Sequence, residues 1–297
     1  MPNTKTVEVP HLGGITAAYQ SAGPIDKSKP TVVLVNSMTT SSELYREQFK
    51  NKALTDMMNL VAIELLGHGQ TRAKTDNWTY WDTAQMNLQV MEKLGIERAF
   101  ALGTSQGGWV CVRMALLAPE RIQGLIPMGT SLDSESERAR ELGCWNAPEL
   151  IQPIISAWTT NDATPDFEPP DQYCDLLLDS GFGPDVKEEV KKFWIKEIKA
   201  NYHGDDGRKR IRMAAINLKD RDSLLDRVWD IRCPVRWLHG TSDQVYSFAS
   251  AEEGIKYLLN SPDARLVKVE GGQHFLSASH PEMVAEHLLE FVGKYSK

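Results

Sequence analysis

Short apolar runs alternate with amphipathic stretches over the first 130 residues, stop between 131 and 229, and then resume. The spacing predicts strands at 14–20, 31–35, 61–64, 98–103 and 122–128, with helices near 45–57, 82–94 and 106–118 between them. In 82–94 the apolar positions Met86, Leu88, Val90, Met91 and Leu94 share one helical face. Repeated strand–helix–strand units of this length fold as right-handed crossovers and give a mostly parallel sheet covered by helices. The break from 131 to 229 has little strand character. It reads instead as helices near 134–142, 148–158, 171–178, 185–200 and 211–227, separated by prolines and by His203–Gly207. Strands return at 234–238 and 264–269, with helices at 249–259 and 281–295. A helical insertion between two parts of one sheet accounts for this order. The expected division is a core of 1–130 and 230–297 and a helical cap of 131–229.

The chemistry centres on Gly103-Thr104-Ser105-Gln106-Gly107-Gly108, between a predicted strand and a predicted helix. Gly-x-Ser-x-Gly in that setting makes a sharp turn that holds the serine hydroxyl clear of the sheet. Ser105 also stands at the start of the following helix, where free N–H groups favour negative charge. A serine hydroxyl needs a neighbouring base. Of seven histidines, His274 lies in the glycine-flanked loop after the last strand, at the carboxyl edge of the sheet. His68 and His239, each followed by glycine, read as turn-stabilising. The carboxylate that orients the imidazole is expected at Asp243, after the 234–238 strand, in the chain order serine–acid–histidine. Asp133, with Glu135 close behind, is the alternative acid after the 122–128 strand.

Two backbone N–H groups should hold the oxyanion: that of Gln106 and that of Met38, with Ser37 second to Met38. Candidates for touching substrate are Ser37, Phe275 and, in the insertion, Trp158 and Trp194. The insertion also carries Trp145, Phe167, Tyr173, Phe182, Phe193 and Tyr202, some of which should form the underside of a cap. This chemistry needs no metal and no organic cofactor. The charge of −7 argues against a nucleic-acid partner, and the basic run 208–212 reads as a solvated loop and helix start. No run approaches the roughly 20 apolar residues that span a bilayer. The polar N-terminus and four dispersed cysteines point to a cytoplasmic protein with free thiols, acting on a small molecule as a monomer or homodimer.

Taken with Gly67-His68-Gly69, His239-Gly240-Thr241-Ser242-Asp243 and Gly272-Gln273-His274, the serine motif resembles the α/β-hydrolase superfamily over nearly the whole chain. The resemblance implies an eight-stranded, mostly parallel sheet, a helical cap after the sixth strand, and hydrolysis through an acyl-enzyme. Asn36-Ser37-Met38-Thr39-Thr40 stands where many members have His-Gly and is similar to the corresponding tract of 3-oxoadipate enol-lactonases. That likeness favours an ester or lactone substrate. Carbon–carbon bond hydrolysis of a vinylogous diketone and a non-catalytic ligand-binding or interaction role remain alternatives on the same fold. Glu64 replaces the usual aspartate before Gly-His-Gly, which implies weaker side-chain bonding in that loop with the triad untouched.

Overall fold

Valines and leucines on the central strands alternate between two buried cores, as the two-residue period of a strand requires. Val33 and Val35 join one core with Met86, Val90 and Trp109, whereas Val32 and Leu34 join another with Leu54, Leu288 and Phe291. The computed structural model describes residues 1–296. Its strands are β1 Lys5–Val9, β2 Ile15–Ser21, β3 Thr31–Val35, β4 Asn59–Ile63, β5 Arg72–Ala73, β6 Ala99–Thr104, β7 Ile122–Met128, β8 Val235–Gly240 and β9 Ala264–Val269. They form one sheet in the order β1-β2-β4-β3-β6-β7-β8-β9, with β5 beside β2. The path therefore holds eight strands, and the two-residue β5 lies off it. Pairing is antiparallel around β2 and parallel from β4 to β9.

Helices before the insertion are α1 Arg46–Lys50, α2 Lys52–Met57, α3 Tyr80–Lys93 and α4 Gln106–Leu117. Between β7 and β8 run α5 Glu137–Glu141, α6 Ala147–Ala157, α7 Asp171–Phe182, α8 Glu188–Asn201 and α9 Gly204–Asp220. After β8 come α10 Phe248–Gly254, α11 Leu276–Ser279 and α12 Pro281–Tyr295. Among the described residues no helix is long and apolar enough to cross a membrane.

Three expectations need correction. The helix expected over 45–57 is divided, because Asn51 is extended and its side chain caps α2 by accepting from Leu54 N–H. The basic run is no solvated loop: α9 already starts at Gly204, and Arg208 and Arg210 are buried. Their guanidinium groups hydrogen bond to backbone carbonyls, Arg208 to Trp158 at 2.7 Å and Arg210 to Asn201 at 2.6 Å and Gly67 at 3.1 Å. Glu64 does not weaken its loop. Its buried carboxylate accepts from Gln70 N–H at 2.7 Å and from Ser42 N–H and hydroxyl at 3.2 Å each, joining the turn after β4 to the segment after β3.

Candidate active site

The turn from β6 into α4 brings two backbones so close that side chains are excluded. A Cβ on Gly103 would lie 2.2 Å from the Gly107 carbonyl oxygen, and one on Gly107 would lie 2.0 Å from the Val35 carbonyl oxygen. Between them Ser105 adopts φ 54° and ψ −115°, a backbone conformation that costs a non-glycine residue energy and marks functional positions. Surrounding bonds hold it there: Ser105 N–H donates to Met128 O at 2.9 Å, and Thr130 Oγ1 donates to Ser105 O at 2.9 Å.

His274 follows β9 through Gly271 and Gly272 and is buried. Its Nδ1 lies 2.9 and 3.0 Å from the two carboxylate oxygens of Asp243. That geometry suits an Nδ1–H donating to the carboxylate, the tautomer in which Nε2 is the acceptor. Asp243 also accepts from Val245 N–H at 2.8 Å and Tyr246 N–H at 3.0 Å. Burial pushes its carboxyl up, but the charge and hydrogen bond of His274, together with His239 and the Tyr246 N–H, outweigh burial and hold it below the ordinary range. Asp133 is engaged elsewhere: it accepts from Ser134 N–H at 2.7 Å and from the Ser136 hydroxyl, which itself caps α5. Ser105 and His274 line the same cavity, with no hydrogen bond between them among the described residues. Such a bond commonly tightens only once a ligand is bound.

Ser37 N–H donates to Thr40 Oγ1 at 3.1 Å. The N–H groups of Met38 and Gln106 have no acceptor among the described residues. Thr39, at φ 55°, bends the loop beside Met38. His239 and His68 serve their loops. His239 Nε2 donates to Tyr246 O at 2.8 Å and stands 3.6 Å from Asp243. His68 Nδ1 bonds Leu66 O at 3.0 Å, and burial holds its imidazole down at about 4.

Ser37, Met38, Tyr246, His274 and Phe275 supply one side of the cavity; Trp145, Ile151, Ile154, Tyr173, Leu176, Leu177 and Leu218 supply much of the rest. Trp158 and Trp194 do not line it. Trp158 stands behind Tyr173, edge to face at 5.1 Å, in a cluster with Phe167 and Ile198. Trp194 packs with Leu44, Leu178 and Phe275 in another. Trp158 is buried among the helices and Trp194 lines a separate groove with Phe193 and Ala278, so the wall is taken by Tyr173 and Trp145. Tyr246 had no signal in the sequence beyond its position three residues after Asp243. Its hydroxyl donates to Glu135 at 2.9 Å, and Glu135 pairs with Arg221 at 2.6 Å.

The family model described as alpha/beta hydrolase fold matches residues 30–281. The chain belongs to that family. Within it, the chain is 21% identical to a putative 2-succinyl-6-hydroxy-2,4-cyclohexadiene-1-carboxylate synthase of Bacillus subtilis, over 97% of this chain and 98% of that one. It is 26% identical to 3-oxoadipate enol-lactonase 1 of Acinetobacter baylyi, over 50% of this chain and 52% of that one. Among solved α/β-hydrolase structures, a thermophilic esterase from Thermogutta terrifontis superposes with a TM-score of 0.78 at 19% identity, covering 99% and 100% of the two chains. At that identity the likeness is one of fold.

Proposed function

We propose that this α/β hydrolase uses Ser105 as nucleophile to cleave an ester or lactone of a small, at least partly apolar molecule through an acyl-enzyme. The observation that carries the reading is the strained Ser105 turn sharing one apolar cavity with a histidine whose Nδ1 is fixed by Asp243. In the cycle, His274 Nε2 takes the hydroxyl proton as Ser105 Oγ attacks the carbonyl carbon. Asp243 stabilises the imidazolium and keeps the ring in the required tautomer. The tetrahedral oxyanion is held by Met38 N–H and Gln106 N–H, either of which is worth on the order of 3 kcal/mol to the transition state. His274 then protonates the leaving alkoxide, and the same nitrogen activates water to release the acid.

Residues 131–229 act in this reading as a cap on a core of 1–130 and 230–297. Support comes from α6 and α7, which supply Ile151, Ile154, Tyr173 and Leu177 to the cavity that Ser105 also lines. The four cysteines are free thiols, which fits a reducing, cytoplasmic setting.

Labelling by a fluorophosphonate together with turnover of p-nitrophenyl esters tests the assignment. Wild type should show both, and a folded Ser105→Ala variant should show neither. Turnover of vinylogous diketones with no activity on esters or lactones would move the assignment to carbon–carbon cleavage. A wild-type protein inert to label and substrates would leave a ligand-binding role.

A further inference from the structure

The loop that carries His274 leans on the insertion as well as on the sheet. Among the described residues, 273–275 make one backbone hydrogen bond outside their own loop and α11: Phe275 N–H donates to Gly181 O at 2.8 Å. Gly181 is the last residue but one of α7, where the closing carbonyls of a helix have no partner within it. The final turn of α7 thus supplies an acceptor that the His274 loop takes up.

Side chains reinforce the joint. A Cβ on Gly181 would lie 2.2, 2.6 and 2.8 Å from three ring carbons of Phe275. That ring is buried, its centre 5.1 Å from that of Phe182 and 5.3 Å from that of the His274 imidazole, and it packs with Leu178 of α7 and Trp194 of α8. Two residues on, a Cβ on Gly183 would meet the side-chain amide carbon of Gln273 at 2.6 Å. The neighbours of His274 on both sides therefore rest on the end of α7. Gly181 sits inside the helix, a place where alanine is normally favoured over glycine. What excludes alanine here is the Phe275 ring.

We propose that Gly181 is a positioning residue: the end of α7 fixes the His274 loop, and with it the reach of the base to Ser105. The inference rests on the hydrolase reading above and gives the insertion a part in placing the base. Gly181 touches neither reacting atom and acts through Phe275.

Gly181→Ala tests it. A methyl there must push helix and ring apart by about 1 Å to reach ordinary carbon–carbon contact. Whichever side yields, the 2.8 Å bond is stretched. The rate constant for fluorophosphonate labelling and kcat on p-nitrophenyl pentanoate should both fall by about 10- to 100-fold, with KM held within about twofold. Labelling should still run to completion, whereas a variant harmed only in folding labels a smaller fraction at the wild-type rate. In a Phe275→Ala background, where the methyl meets no ring, the same glycine replacement should change the labelling rate by less than about twofold. Three outcomes would overturn the inference and leave the hydrolase reading in place: wild-type rates in Gly181→Ala, a smaller labelled fraction at an unchanged rate, or a loss of rate that persists in the Phe275→Ala background. Absence of both labelling and turnover in wild type would overturn the hydrolase reading and this inference with it.

Discussion

Asp243 is surrounded by donors, His274 Nδ1 and the N–H groups of Val245 and Tyr246, while His239, whose Nε2 donates to Tyr246 O, stands 3.6 Å away. A carboxylate so placed keeps its charge despite full burial. Because its folded-state carboxyl sits below the unfolded value, its contribution to stability is complete above the unfolded pKa and is lost as pH falls through the folded one. In the proposed cycle the same charge stabilises the imidazolium. Asp243→Asn should lower kcat/KM on an activated ester by about four orders of magnitude, as in comparable triads. Asp133→Asn should leave kcat/KM within about threefold, since its oxygens are taken by Ser134 and Ser136. Kinetics of both variants, with folding checked by circular dichroism, decide the matter. A collapse in Asp133→Asn alone would reverse the assignment. The sequence could rank the two acids by chain order. It could not reveal that Asp133 is occupied by its neighbours, because short-range capping depends on local backbone direction.

The junction between insertion and sheet rests on side chains that are far apart in sequence. Glu135 precedes α5, Arg221 directly follows α9, and Tyr246 lies in the loop that carries Asp243. Glu135 and Arg221 form a buried pair whose side chains are 2% and 1% exposed, with the guanidinium 3.5 Å above the ring of Trp109 on α4. Removing one member strands the other charge away from water. Glu135→Gln and Arg221→Met should each cost about 3–5 kcal/mol in urea unfolding, and the double variant should cost clearly less than the two together. Strict additivity would show that the pair does not act as a unit. Nothing in the sequence predicts this junction, because neither residue has a periodic or motif context. The tryptophans of the insertion were misplaced for a related reason. Amphipathic spacing identifies a helix that buries one face, but α6 and α7 bury residues both among the helices and toward the cavity, so Trp158 at the end of α6 packs in an interior cluster while Tyr173 on α7 reaches the wall.

At the scale of the whole molecule, the sheet was readable because parallel strands buried on both faces leave continuous apolar runs such as 32–35 and 125–128. The edge was harder to see. β1 holds Lys5 and Glu8 on a half-solvated strand, and β5 is only two residues long, so neither leaves an apolar run. The close approach of Gly107 to Val35 fixes where α4 can start, and this in turn sets Ser105 above the carboxyl edge where the loops after β8 and β9 deliver Asp243 and His274. We propose that this convergence makes Ser105 a covalent nucleophile. Rapid acid quenching during turnover of p-nitrophenyl pentanoate, followed by peptide mass analysis, tests it most directly. The expected result is a pentanoyl adduct on the peptide bearing Ser105, absent from Ser105→Ala. Turnover with no adduct, or an adduct on another residue, would contradict the account.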